Sequence, residues 1–276
     1  MLPWAGFGLA FGLSKAFPQF LWLWFTLNIW ILSVPHTFST LTRSDRRERG
    51  AIFKTIFIFM SLFGSVLLVS HFINFVLIFS FYFFWQQFHY SKQNFGIARY
   101  GKHVHKAELV DHCFFLLVPL ISVLGLFSSG PQVFFSYLIN SPFSFSISRS
   151  QALILNLILL VSYLGFRRKV MQPALQHVAL FSMAYLGIES FAVGWLCLNV
   201  FHNLQYLKFM FRFENRIQFL ILPLMLSLAL YGLEASAMVG FSFILALNFT
   251  HYVLDGIIWR RRAVEISSLS SLVFEK

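Results

Sequence analysis

Long apolar runs, separated by short clusters of charged or turn-forming residues, dominate the sequence from residue 18 to residue 259. The runs are about 16 to 25 residues long, and a helix needs about 20 apolar residues to cross the hydrocarbon core of a bilayer. The pattern therefore predicts an all-α, polytopic transmembrane helix bundle of about nine spans. The predicted spans are residues 18–41, 51–70, 71–95, 113–128, 151–166, 173–188, 189–211, 217–233 and 235–259.

The segment before the first span, residues 1–16, is apolar but shorter than a spanning helix. We expect it to be interfacial, re-entrant or part of a longer first hairpin. Because the predicted loops are short, residues 1–276 are expected to form a single integral membrane domain.

Composition strengthens the membrane prediction and excludes a soluble globular protein. The chain is 58% hydrophobic and 11% charged, with a mean hydropathy of +0.72, whereas soluble domains carry about 25% charged residues. The net charge of +11 lies in short basic clusters between apolar runs. No continuous basic face is available to follow a phosphate backbone, so we expect no nucleic-acid partner.

The basic residues also predict the orientation of the chain. Of the 21 lysines and arginines, 19 fall near or beyond the ends of the first, third, fifth, seventh and ninth predicted spans. Since cytoplasmic loops carry an excess of Lys and Arg, these loops and the C-terminus are expected in the cytoplasm. The predicted location is the bacterial inner membrane.

Eight of the nine histidines fall on this predicted cytoplasmic side. His36, His89, His202 and His251 lie roughly 5 to 14 Å inside the ends of four different spans, at 1.5 Å per helical residue. Polar groups are costly in a bilayer and usually face a bundle interior, where they pair or bind an ion. Each histidine alone is typical of an interfacial polar contact, whereas the four together favour a shared transition-metal site.

Polar residues accompany these histidines at helical spacing. The spacings are Gln86, His89 and Gln93 at i, i+3 and i+7, Asn199, His202 and Gln205 every three residues, and His251 and Asp255 four apart. Such neighbours can ligate a metal or orient a ligating ring through its second nitrogen. The candidates for this role are Asp255, Gln93, Gln205 and Gln86.

Three further candidates follow the third predicted span. His105, His112 and Asp111 lie in a predicted cytoplasmic loop, where they either are solvated or fold over the metal site. The position of His177, near the start of the sixth predicted span, indicates an interfacial polar contact.

The metal is predicted from the ligand chemistry. Neutral imidazole suits iron, zinc or copper, and Fe(II) is the expected ion, with zinc or copper as alternatives. Neither Cys113 nor Cys197 lies at the histidine level, which disfavours an iron–sulfur cluster or a structural zinc site. No nucleotide cofactor is expected.

The motifs PHTFSTLTR, FHYSKQNFG, FHNLQYLKF and THYVLDGIIWR resemble those of bacterial multispanning membrane proteins with single-histidine motifs. More distantly, their layout is similar to the Brp/Blh family of membrane carotene dioxygenases. The resemblance implies that His36, His89, His202 and His251 bind iron, and that an apolar polyene or lipid enters from the bilayer. The HxxxH and HxxHH motifs of the di-iron desaturases are absent from the sequence, which favours a single metal.

The expected function is therefore that of a membrane-embedded non-haem iron oxygenase. Its substrate would be a lipid-soluble molecule such as a carotenoid or fatty-acyl lipid, with a redox partner that the sequence does not identify. A proton- or metal-coupled transporter is one alternative, although it predicts polar residues through the full bilayer depth and in two corresponding halves. The other is a non-catalytic subunit of a membrane complex, whose polar residues bind helix to helix.

Overall fold

The structure, a computed structural model, describes residues 1–37, 51–72, 75–100, 109–127, 147–211 and 242–255. Within these ranges the regular elements are helical and none is a strand, which confirms the all-α prediction. The predicted span 217–233 lies outside the described residues.

The helices follow the predicted apolar segments closely. Their bounds are α1 Leu2–Ala16, α2 Leu21–Leu27, α3 Ala51–Phe72, α4 Phe75–Tyr100, α5 Leu109–Phe127, α6 Arg149–Phe166, α7 Met171–Ser182, α8 Phe191–Phe211 and α9, residues 242–255. Two π-helical segments, Asn28–Ser33 and Met183–Gly187, continue α2 and α7. A further helical turn covers residues 34–37.

Two helices in the described part of the chain are long and apolar enough to cross a membrane. These helices are α5 and α6. A third candidate arises if α1 and the segment Pro18–Thr37, which meet at a bend of 114°, form one broken span. The apolar helices indicate association with a membrane, and the number of nine spans stays a prediction.

Helix α1 shows how the N-terminal segment is held. Phe7 is buried, and the Trp4 ring lies edge-on to Phe201 of α8 at 4.9 Å between centroids. A Cβ atom at Gly6 would collide with the side chain of Leu204, so glycine lets α1 and α8 approach closely. The 114° bend that follows α1 is typical of a broken span or a re-entrant loop.

The chain divides into two compact units. The first comprises Met1–Ser33 and Phe79–Asn215, and the second comprises Val34–Ile78 and Arg216–Lys276. This division does not bear on whether the membrane region folds as one domain, which stays a prediction.

The first unit has an aromatic-rich core formed by α1 and the helices from α4 to α8. Its largest fully buried side chains include Tyr90, Tyr185, Phe83, Phe115 and Phe201.

Glycine also permits one close approach in this core. A Cβ atom at Gly194 would collide with the carbonyl oxygen of Ala184, so only a residue without a side chain lets α8 pass this close to the π-helical segment.

Helix α6 displays an apolar surface. Its start is fixed by a capping box, in which the Ser148 hydroxyl accepts from the Gln151 amide and the Gln151 side chain accepts from the Ser148 amide. The exposed large apolar residues that follow are Leu153, Ile154, Leu155, Leu157, Ile158 and Val161. An exposed apolar surface of this kind is suited to contact with lipid chains and agrees with the spanning character of α6.

In the second unit, α3 packs against α9 through aromatic rings. Phe243 lies edge-on to Phe59 at 5.2 Å and to Phe63 at 6.0 Å between centroids. This packing supports α9, the helix that carries His251 and Asp255.

Candidate metal centre

Two predicted ligands meet in the second unit. His36, in the helical turn 34–37, and His251, in α9, have their Nε2 atoms 2.9 Å apart and their rings nearly perpendicular at 73°. Both side chains are almost inaccessible, at 2% and 1% exposure. Beside them the Thr37 hydroxyl donates to the side-chain oxygen of Asn248 at 3.3 Å. The structure thus brings together two histidines that are 215 residues apart in sequence.

The separation of these two nitrogens fits a metal site. When no metal is bound, one Nε2 donates its proton to the other. Two imidazole nitrogens bound to one metal ion, with metal–nitrogen bonds of about 2.1 Å, lie about 3.0 to 3.4 Å apart. The 2.9 Å separation is that of a hydrogen bond, and a small displacement would let both nitrogens bind one ion.

His36 and His251 are thus two buried predicted ligands of the second unit, and each offers one ring nitrogen to a metal ion. The prediction of a histidine metal site is supported in this general form, and the identity of the metal stays a prediction. The roles of His89 and His202 as ligands also stay predictions.

His89 and His202 are neighbours within the first unit. Their rings, from α4 and α8, lie 5.0 Å apart between centroids and meet edge to face at 74°. His202 also contacts the ring of Tyr90, at 4.1 Å between centroids and a tilt of 40°. Both histidines are buried.

The polar faces predicted for α4 and α8 pair with each other in three successive contacts. Gln86 donates to Asn199 at 3.0 Å, the His89 ring contacts the His202 ring, and Gln93 donates to Gln205 at 3.2 Å. Matching spacings of three to four residues on both helices allow this pairing.

The contacts of Gln93 differ in kind from those expected. Its side-chain amide donates to the Gln205 side chain and to the backbone carbonyl of His202, at 3.3 Å. These bonds join α4 to α8 through an amide pair and the main chain. A role for Gln93 and Gln205 in orienting an imidazole ring stays a prediction.

An amide network surrounds the first of the three contacts. The Gln86 amide also donates to the Tyr82 hydroxyl at 3.1 Å, and the Trp195 indole donates to Gln86 Oε1 at 2.6 Å. The Tyr90 hydroxyl donates to Asn199 Oδ1 at 2.6 Å. Sequence reasoning missed Tyr90 and Trp195, although Tyr90 follows His89 directly and Trp195 precedes Asn199 by one helical turn.

The other candidates are dispersed. Asp255 is buried in α9, one turn beyond His251. His112 lies 3.4 Å from the Lys92 amine through Nδ1. His105 falls outside the described residues.

Asp111 is fully buried in the first turn of α5 and is not part of a solvated loop. Its carboxylate accepts from the Tyr163 hydroxyl at 2.8 Å and pairs with Arg167 at 3.2 Å. Both partners belong to the C-terminal end of α6, and the ion pair joins that end to α5.

His177 is a structural histidine inside the first unit. Asn94 donates to its Nδ1 at 3.0 Å, and its Nε2 donates to the carbonyl oxygen of Phe115 at 3.0 Å. With both nitrogens hydrogen-bonded, the ring is held as a neutral tautomer. The spacing of Gln87, Ser91 and Asn94 at i, i+4 and i+7 was the available signal for this second polar face of α4.

Comparison of the chain with protein-family models, curated proteins and solved structures gives no match.

Proposed function

We propose that the protein is a membrane-embedded oxygenase that holds one non-haem iron ion on histidine side chains and oxidises a lipid-soluble substrate with dioxygen. A carotenoid or a fatty-acyl lipid is the substrate class. The observation that carries the proposal is the His36–His251 pair, whose Nε2 atoms lie 2.9 Å apart in a buried position.

The proposed ligands are His36 and His251, together with His89 and His202, which the sequence predicts as the further ligands. Neutral imidazoles leave open coordination positions, and iron bound there would supply the redox chemistry with dioxygen. Asp255, one turn from His251, is proposed either to complete the ligand set or to orient an imidazole.

The buried position of the histidines suits such chemistry. Burial of the histidines excludes bulk water, which strengthens electrostatic interactions and limits side reactions. An apolar substrate would reach the site from the bilayer, in keeping with the exposed apolar surfaces of helices such as α6. The site is proposed to lie toward the cytoplasmic side of the bacterial inner membrane.

A metal- or proton-coupled transporter is the second candidate. It is favoured by a buried polar cluster away from the histidines, in which Asn156 donates to Ser122 at 2.9 Å and to Ser182 at 3.2 Å. A transporter would move radioactive metal or protons into proteoliposomes, whereas an oxygenase would not.

Elemental analysis of the detergent-purified, full-length protein tests the proposal directly. We expect about one iron per wild-type chain and little iron in H36A and H251A. His177→Ala is the matched control, because both nitrogens of this buried histidine are already hydrogen-bonded. Undiminished iron in H36A and H251A would contradict the metal site.

Oxygen chemistry is tested separately with the iron-loaded protein. Incubation with membrane lipid extract under ¹⁸O₂ should give ¹⁸O-labelled products that H251A does not form. If the protein binds iron but forms no labelled product, the metal site is supported and the oxygenase assignment is wrong.

A further inference from the structure

Tyr90 contacts both the amide network of Gln86 and Asn199 and the ring of His202. Its ring lies against His202 at 4.1 Å between centroids, and its hydroxyl donates to Asn199 Oδ1 at 2.6 Å. The side chain is 2% exposed. A ring fixed at its hydroxyl end presents its face to His202 at a defined angle.

The acceptor of this hydrogen bond is itself held firmly. Asn199 Oδ1 also accepts from Gln86, and Asn199 Nδ2 donates to the Trp195 carbonyl oxygen at 2.8 Å. Gln86 Oε1 accepts in turn from the Trp195 indole. Each side-chain amide atom of Gln86 and Asn199 thus has a partner, and fully satisfied buried networks of this kind are rigid.

The chemistry of the acceptor limits what Tyr90 does. An amide oxygen is not a base at ordinary pH, so Asn199 does not remove the phenolic proton. Tyr90 therefore keeps its proton and acts as a fixed hydrogen-bond donor. This argues for a role in geometry, not in proton transfer.

We infer that Tyr90 is a positioning residue, which Asn199 and Gln86 hold in place so that its ring sets the orientation of His202 beside His89. The inference deepens the proposed function, on which it rests, because His89 is one of the iron ligands proposed from the sequence. His202 meets the His89 ring edge to face at 5.0 Å, so a rotation of His202 changes the packing of His89.

Tyr185 provides a matched control. It is also fully buried, and its hydroxyl donates to Gln87 Oε1 at 2.9 Å, again an amide of α4. Its ring neighbours are Phe83 and Phe181. Tyr185→Phe therefore removes a comparable hydrogen bond on the other face of the same helix.

The experiment compares Y90F and Y185F in the full-length, iron-loaded protein. Both variants should lose similar stability. Only Y90F should broaden the electron paramagnetic resonance signal of the ferrous protein treated with nitric oxide, and lower its iron affinity by roughly tenfold, as loss of an outer-shell contact does. Asn199→Ala should reproduce the Y90F spectrum, since it removes the acceptor.

A second measurement keeps this inference separate from the metal assignment. In metal-free protein labelled with ¹⁵N-histidine, Y90F should shift the ring signals of His202 and His89, and Y185F should leave them in place. If the wild-type protein binds no iron, the proposed function is wrong. The histidine ring signals of the metal-free protein still test the role of Tyr90 in that case. Ring signals and spectrum unchanged in Y90F, or changed equally in Y185F, would overturn the inference.

Discussion

His177 and the His36–His251 pair are equally buried but differ in what their nitrogens meet. The His177 ring has an amide donor on one nitrogen and a backbone carbonyl on the other, each at 3.0 Å. In the pair, by contrast, one imidazole nitrogen faces another at 2.9 Å. The first arrangement completes the hydrogen bonding of a neutral ring, whereas the second aligns two nitrogens of the kind that bind transition metals.

Burial alone therefore does not distinguish a proposed metal ligand from a structural histidine. Exposure is 1% for His177, 2% for His36 and 1% for His251. The chemical nature of the neighbouring atom makes the distinction. Substitutions at the two places should therefore separate metal binding from stability.

The largest effect is expected on metal affinity. H36A or H251A should weaken binding of Co(II), used as a spectroscopic substitute for iron, by at least about 1,000-fold, or about 4.1 kcal/mol. The visible absorption of wild-type and variant protein titrated with Co(II) measures this loss. Affinity retained in both variants would contradict the pair as ligands.

A smaller effect, on stability, is expected at His177. His177→Phe leaves the Phe115 carbonyl and the Asn94 amide without their partner in the core. The free energy of unfolding should fall by about 2 to 3 kcal/mol, as measured by denaturant titration in detergent. Metal affinity per folded molecule should not change. A loss of metal comparable to that in H36A would contradict the assignment of His177 as structural and of the His36–His251 pair as metal-binding.

The smallest effect is expected at Asn94. Asn94→Ala removes the donor to His177 Nδ1 and retains the bond from Nε2 to Phe115. We expect a loss of about 1 kcal/mol, because one hydrogen bond is removed. A loss as large as that of His177→Phe would mean that Asn94 alone holds the ring.

Sequence periodicity predicted the helices and two of their polar faces. The i, i+3 spacing on α4 and α8 identified polar faces, and Gln86, His89 and Gln93 do lie opposite Asn199, His202 and Gln205. Apolar run length located α5 and α6, the two described helices that are long and apolar enough to cross a membrane. Local patterns suffice here because one helical face is determined within a few turns of sequence.

Other contacts could not be read from local patterns. Asp111 meets Tyr163 from 52 residues away, and His177 meets Asn94 from 83 residues away. Such pairs depend on which helices become neighbours in space, and periodicity carries no information about that choice. For the same reason the sequence predicted an interfacial contact for His177, whereas the structure places it inside the first unit, bonded to Asn94 and Phe115.

The close approach at Gly194 places a limit on how this sequence can diverge. Any side chain at position 194 would collide with the carbonyl oxygen of Ala184. No substitution is therefore tolerated at this position, even to alanine. Apolar positions on the open surface of α6, such as Ile154 and Val161, can exchange freely among residues of similar hydropathy. In a library randomised at position 194 and selected for folded protein, we expect to recover only glycine. Glycine at this position would then help to identify remote relatives.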